Sequence, residues 1–460
     1  MKPCLGKLLW AFALLLMVCS SCMSPQRQAE LYYKAGVSYS QSGYQSDAIT
    51  NFSSAIRLNP KCDYFFLYRA SAEVALKDFR AAINDYDQAI NLDPSNGPAL
   101  CVRGLCKLSL KKYEGAIADF NLAIEFSPND ADAYNYRGLA RVQIKDWDGA
   151  KDDFNKVIEL TPQEATAYRN RAAVEFMLKD YEKALADASK AIELDASDAF
   201  SYRIRGDTRA RLKDYRDAFA DFNKAIELNP RIAEAYAGRG NVEFLSGDFE
   251  SADADFAKTI QLNPKSPLGF AGRGLLEKKR GDYDHALADL QQAVGLGSQF
   301  AQTYQMLGYL QNDLFQWRPA LSSLRKSLEI DPSLDYPRYR IYLIRSRLGE
   351  QDEATTELAS YVNSLQGAKA KDWSASIGRF LTGNLAETNF LSQAVAIAMR
   401  PTDIGGQICE SYYYVGMKHL LGNDKDGAAA FFQKSMDTGE TNYTEFTSAK
   451  VELHVLKQPQ

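Results

Sequence analysis

Seven aspartates and seven arginines stand at intervals that could hold paired charges for general acid–base chemistry. Asp85, Asp119, Asp153, Asp187, Asp221, Asp255 and Asp289 fall on every thirty-fourth position. Arg69, Arg103, Arg137, Arg171, Arg205, Arg239 and Arg273 keep the same beat, each a constant interval ahead of its aspartate. Where the arginine gives way to Ala35 or Leu307, the aspartate gives way to Asn51 or Ser323. Residues gained and lost together point to structural partners rather than catalytic carboxylates, because a guanidinium holds a carboxylate through two parallel hydrogen bonds. The expectation is an Arg–Asp bridge between two helices, within a repeat or across adjacent ones. Cys19-Ser20-Ser21-Cys22 has redox or metal spacing, but no strand or second cysteine pair stands beside it. The remaining cysteines, Cys62, Cys101, Cys106 and Cys409, give no readable disulfide framework, and His285, His419 and His454 are too scattered to suggest a metal site. With no nucleophile–base set, metal cluster or phosphate-cradling loop, the sequence points to no catalytic residue, no metal and no cofactor.

The elements that must position these charges follow from the same period. Proline recurs at Pro60, Pro94, Pro128, Pro162, Pro230, Pro264 and Pro332, with Ala196 and Ser298 at the two missed beats. Small residues run in step at Gly36, Ala70, Gly104, Gly138, Ala172, Gly206, Gly240, Gly274 and Gly308. Alanine occupies a second position in all nine copies, from Ala48 to Ala320. Each small residue lets two helices approach, and an aromatic such as Phe52, Tyr86, Phe120, Phe154, Phe222 or Phe256 fills the space between them. The proline cannot continue a helix and so separates one unit from the next. This pattern resembles the tetratricopeptide (TPR) repeat. The resemblance implies an all-α, right-handed superhelical solenoid with about nine regular repeats over residues 29–332, followed by degenerate C-terminal helical repeats and a capping helix.

The N-terminus reads differently. Lys2 and Lys7 precede an unbroken apolar run from Leu8 to Val18. As a helix it would span about 16 Å, against roughly 30 Å of hydrocarbon. Residues 1–21 therefore read as a signal peptide. Ser20-Ser21-Cys22 resembles a bacterial lipobox, which implies a lipid on Cys22, and Met23 after it favours the outer membrane. Plain cleavage after Ser21 and secretion is the alternative. Residues 22–28 are then expected as a tether without regular structure.

Past Pro332 the period decays. Residues 333–366 read as a degenerate tenth repeat, with Ala354 on the beat but Tyr342 where a small residue belongs. In residues 367–460, helices are expected over Trp373–Leu381 and Thr388–Ala398, the latter stopped by Arg400-Pro401 and Gly405-Gly406. Cys409–Leu421 and Asp426–Met436 form a further repeat-like pair, and Thr444–Leu456 a capping helix. Tyr339 to Leu343, Arg347-Leu348-Gly349, Trp373, Cys409 to Gly416, Phe446 and Glu452-Leu453 together resemble the C-terminal part of bacterial lipoproteins of the "new lipoprotein I" type. The resemblance implies an envelope adaptor that gathers peptidoglycan hydrolases and proteases.

Charge limits the partners. The net charge is −5, and without residues 1–21 there remain 52 basic against 59 acidic residues, well mixed along the chain. That argues against nucleic acid, which needs a basic face. Arrays of this type bind proteins on first-helix residues, here Asn135, Arg169, Arg203, Asp207, Asn241, Lys278 and Gln305, alternating with Leu139, Phe176 and Phe244. The mixture suits an extended peptide or a partner helix. The expected function is thus a non-enzymatic protein-binding scaffold or adaptor at the bacterial outer membrane, facing the periplasm. The alternative is a periplasmic or secreted module that binds a glycan or other small envelope ligand, with Tyr412 to Tyr414 as its aromatic platform. A hydrolase within 367–460 is a third reading.

Overall fold

The computed structural model describes residues 23–396 and 401–458, with the backbone alone for 401–403. The expected signal peptide and Cys22 lie outside the described residues. Among the described residues every regular element is helical, and they fall into two compact units, 1–230 and 231–460. Both have the helix-pair architecture of a tetratricopeptide solenoid.

The first unit holds six pairs. They are α1 (Pro25–Gln41) with α2 (Gln45–Leu58), α3 (Asp63–Ala75) with α4 (Phe79–Leu92), and α5 (Gly97–Ser109) with α6 (Tyr113–Phe126). Next come α7 (Ala131–Gln143) with α8 (Trp147–Leu160), α9 (Ala165–Met177) with α10 (Tyr181–Leu194), and α11 (Ala199–Arg211) with α12 (Tyr215–Leu228). The second unit continues with α13 (Ala233–Ser246) and α14 (Phe249–Leu262), α15 (Pro267–Arg280) and α16 (Tyr283–Gly295), α17 (Ala301–Asp313) and α18 (Trp317–Ile330), and a tenth pair, α19 (Tyr336–Arg347) and α20 (Gln351–Ser364). It ends with α21 (Trp373–Leu381), α22 (Glu387–Ala396), α23 (Pro401–Leu421), α24 (Lys425–Asp437) and α25 (Thr444–Lys457).

The small residue in each first helix is matched to the side chain it meets on the second. A Cβ built on Gly36, Gly104, Gly138, Gly206 or Gly240 would stand 2.5–2.9 Å from the ring of Phe52, Phe120, Phe154, Phe222 or Phe256. In the fifth pair, Ala172 packs with a small Ala188 instead. The turn inside each pair is fixed by backbone geometry. Gly43, Lys77, Lys111, Lys145, Lys179, Lys213, Gly247, Gly281, Phe315 and Gly349 have positive φ at every thirty-fourth position. In most pairs the next residue is an aspartate, such as Asp78, Asp146, Asp180, Asp214, Asp248 or Asp282, whose side chain accepts the backbone N–H three residues on and caps the second helix.

Two expectations are corrected. The stretch after Cys22 is not an unstructured tether: α1 already begins at Pro25, because Ser24 caps the Arg27 N–H and proline suits the first helical turn. Gly405-Gly406 does not end a helix either, since α23 runs unbroken from Pro401 to Leu421. A side chain on Gly405 would strike Glu440, and one on Gly406 would strike Tyr443, so these glycines serve close packing against the α24–α25 loop. Gly416 repeats the main rule, with a built Cβ 2.7 Å from the Phe432 ring on the facing helix.

Candidate protein-binding face

The periodic charges prove to be scaffold. Each arginine grips the aspartate of its own pair through two or more N–H···O bonds of 2.5–3.1 Å, from Arg69–Asp85 to Arg273–Asp289. The aspartates are at most 8% exposed, so these are buried, bidentate pairs. In the second to fifth repeats the same guanidinium also reaches back to the preceding pair: Arg69 to Ser53 at 2.9 Å, Arg103 to Asp87 and Arg137 to Asn121 at 2.7 Å, and Arg171 to Asn155 at 2.8 Å. Of the two linkages left open, the Arg–Asp bridge is thus the one within a repeat, and the same arginine adds a separate bond to the neighbouring repeat. Six of the seven arginines also lie over an aromatic ring three residues earlier, as Arg137 does over Tyr134 at 5.3 Å. A guanidinium held on so many sides offers no free acid or base.

Four expected binding residues lie on first helices of the first unit, and the structure joins them into two polar clusters. Asn170 donates to Asn135 Oδ1 at 3.2 Å, Arg169 bonds Asp198 at 3.2 Å, and Ser201 donates to the same aspartate at 2.6 Å. Arg203 pairs with Asp207 one turn along α11 at 2.6 Å. Asn170 was not among the expected residues, although it follows Asn135 by one period and one residue. All four expected residues remain half-buried, as do Leu105, Leu139, Val142 and Phe176. The same helices expose Tyr64, Tyr68, Met177 and Phe200 by 37–51%. Arg211 lies over Phe176 at 6.0 Å.

In the second unit the three expected residues have different surroundings. Asn241 is exposed on α13. Gln305 donates to Tyr309 Oη at 2.8 Å, and Tyr309 is buried beneath Arg340 at 5.4 Å. Arg340 is 1% exposed and bonds Tyr413 and, at 3.4 Å, Glu445 of α25. Ser448 donates to Asp313 at 2.7 Å, Arg347 pairs with Glu452 at 2.7 Å, and Lys279 reaches Thr441 and Asn442. The last helix thus occupies the first-helix side of α17 and α19 rather than merely capping an end. Lys278 is half-buried beside this network; burial pushes its ammonium down, Asp313 and Glu445 oppose that shift, and Arg340 adds to it. Glu410 accepts from Trp373 at 2.5 Å and from Tyr336 at 3.1 Å, and burial, then the charge of Glu445, holds its carboxyl well above the usual range.

The expected aromatic platform is largely taken up by the same core. Tyr413 and Tyr414 are 1% and 0% exposed, which leaves only Tyr412 of the aromatic platform within reach of a glycan. Burial pushes the Cys101 and Cys106 thiols up to about 12 and about 11. Among the described residues no cluster of three or more histidines, cysteines or acids could hold a metal, and no helix is long and apolar enough to cross a membrane.

Family models agree with this architecture. The family described as "Tetratricopeptide repeat" matches residues 33–96, 136–199 and 205–267, and one described as "TPR repeat" matches 104–145. Among solved structures, a tetratricopeptide repeat protein from Parabacteroides merdae is 19% identical, with 53% of this chain and 97% of that one covered and a TM-score of 0.46. Pseudomonas aeruginosa pilF is 19% identical over 46% of this chain and 97% of its own, with a TM-score of 0.40. YrrB, described as a TPR protein with an unusual peptide-binding site, is 22% identical over 41% and 97%, with a TM-score of 0.34. The chain carries tetratricopeptide repeats, and this fold typically serves as a non-catalytic scaffold for protein–protein interaction.

Proposed function

We propose that this chain is a non-enzymatic adaptor of the bacterial cell envelope, held by a lipid on Cys22 at the periplasmic side of the outer membrane. It takes an extended peptide or a partner helix on the first-helix face of residues 25–211, and so brings cell-wall hydrolases or proteases together. The observation that carries the binding site is the contrast between the units. In the second unit the first helices α17 and α19 pack Asp313, Arg340 and Arg347 against the chain's own α25, whereas Asn135, Arg169, Arg203 and Asp207 of the first unit are half-buried beside apolar side chains. Half-exposed polar groups between apolar ones supply both area and register for an elongated ligand. The anchor rests on the order of residues 1–22: two lysines, a short apolar run, then small residues before a cysteine. Several acyl chains would hold firmly where one would not.

The test is affinity capture from solubilised envelope with the full-length chain, partners being identified by mass spectrometry. Recovery of hydrolases or proteases, lost on Arg169→Glu with Arg203→Glu while the helical melt persists, is the expected result. Partners retained by that folded variant would move the site elsewhere. Metabolic labelling with a fatty acid should mark the wild type and leave Cys22→Ala unlabelled; a labelled variant would overturn the anchor.

A further inference from the structure

The position four residues after each bridging arginine carries three different chemistries. In the third, fourth and sixth repeats it is Lys107, Arg141 or Arg209, each a second cation 2.7 Å from the buried aspartate. In the ninth repeat, which lacks the Arg–Asp pair, Gln311 accepts from Ser323 at 2.8 Å. In the second, fifth, seventh and eighth repeats it is an acid: Glu73, Glu175, Glu243 or Glu277. The first three are at most 9% exposed, and in all four the Oε2 atom is buried without a hydrogen-bond partner. The neighbouring arginine does not satisfy them, for its bidentate grip is on the aspartate; Arg239 Nε and Arg273 Nε stand 3.9 and 3.8 Å from the glutamates. An ionised glutamate here would put two carboxylates against one guanidinium, an arrangement that is unfavourable where the groups are largely buried.

We propose that these four glutamates are carried as neutral carboxylic acids in the folded chain, and that the second, fifth, seventh and eighth repeats therefore loosen when the acids ionise while the third, fourth and sixth do not. The charged surroundings agree. Glu73 faces Arg69, Asp85 and Asp78, with Tyr86 nearby. Glu175 faces Arg171, Asp187, Asp180 and Lys183. Glu243 faces Arg239, Asp248 and Asp255. Glu277 faces Arg273, Asp289, Asp282 and His285. Burial first, then the adjacent aspartate, raises Glu73, Glu175 and Glu243 to about 7, and raises Glu277 as well. The folded chain thus keeps protons that the unfolded chain releases above about 4.5. The stabilisation is complete below that value and is lost as the pH rises through about 7.

The experiment compares wild type with Glu73→Gln, Glu175→Gln, Glu243→Gln and Glu277→Gln combined, an amide being what the ninth repeat already uses. Urea unfolding of the full chain is measured at pH 5.5 and 8.0. The wild type should lose stability toward pH 8.0, with a ratio of folding constants at least about tenfold greater than in the variant. Glu410 and the histidines are common to both proteins and cancel. Equal ratios would overturn the proposal. Should the combined variant fail to fold, Glu175→Arg copies the fourth and sixth repeats at one site. Amide exchange, corrected for the intrinsic rate, should then show that α10 has lost the pH sensitivity it has in the wild type, with α12 insensitive in both. A wild-type α10 no more sensitive than α12, or a variant α10 as sensitive as before, would also overturn it.

Discussion

At the scale of single residues, the Arg–Asp pairs show how a charge inside a helical array becomes structure instead of a reactive site. Asp187 is 8% exposed and takes both oxygens to Arg171, at 2.5 and 2.8 Å. Breaking such a pair leaves a partly buried guanidinium without its counter-charge, which typically costs about 3 kcal/mol or more. Asp187→Asn should therefore lower the urea midpoint by an amount equivalent to about 3 kcal/mol. A surface pair such as Lys190–Glu193, at 2.7 Å, contributes about 0–1 kcal/mol, so Glu193→Gln should leave the midpoint almost unmoved.

At the scale of the element, each pair depends on one turn and one close approach. Lys111 has φ of 60°, a left-handed conformation that costs a side-chain-bearing residue about 1 kcal/mol and costs glycine nothing. Glycine already fills the equivalent turn at Gly43, Gly247, Gly281 and Gly349. Lys111→Gly should thus be neutral to stabilising, by no more than about 1 kcal/mol, despite adding a glycine between two helices. The helix crossing behaves in the opposite way. A Cβ on Gly138 would lie 2.8 Å from the Phe154 ring, so Gly138→Ala should cost about 1–3 kcal/mol in thermal unfolding.

At the scale of the whole molecule, the two units use the same helix pair for different ends. The first leaves half-exposed polar and apolar side chains on its first helices. The second turns Asp313 and Arg340 of its first helices inward onto its own C-terminal helices, around Tyr413, Tyr414 and Glu445. Truncation after Tyr443 would strip Glu445 from Arg340, Glu452 from Arg347 and Ser448 from Asp313, and would uncover the core that holds Ala449 and Leu453. The expected result is a loss of about 5 kcal/mol or outright failure of the second unit to fold. Increased binding of a hydrophobic dye should accompany it, with α1–α12 still helical by amide exchange.

The sequence by itself determined the fold, because a solenoid repeats one local rule and each copy reports that rule again. Small residue, alanine, aromatic and proline on one shared beat give the helix pairs, and the joint absence of arginine and aspartate in the first and ninth repeats marks them as partners. Where the period failed, local signals misled. Gly405-Gly406 looked like a stop because nothing in the sequence says that Glu440 and Tyr443 pass over them. Met23 to Arg27 looked unstructured because no apolar period had yet begun, although Ser24 and Pro25 are a cap and a first turn. Only the tertiary structure decided which first helices the chain's own last helix packs against. Asn135, Arg169 and Arg203 are indistinguishable in the sequence from Lys278 and Gln305. Their different surroundings depend on α25 returning to α17, a contact between positions far apart in the chain, such as Ser448 and Asp313. Nor could the sequence by itself tell an exposed glutamate from the buried Glu73, Glu175 and Glu243, since burial depends on how the two helices of a pair pack.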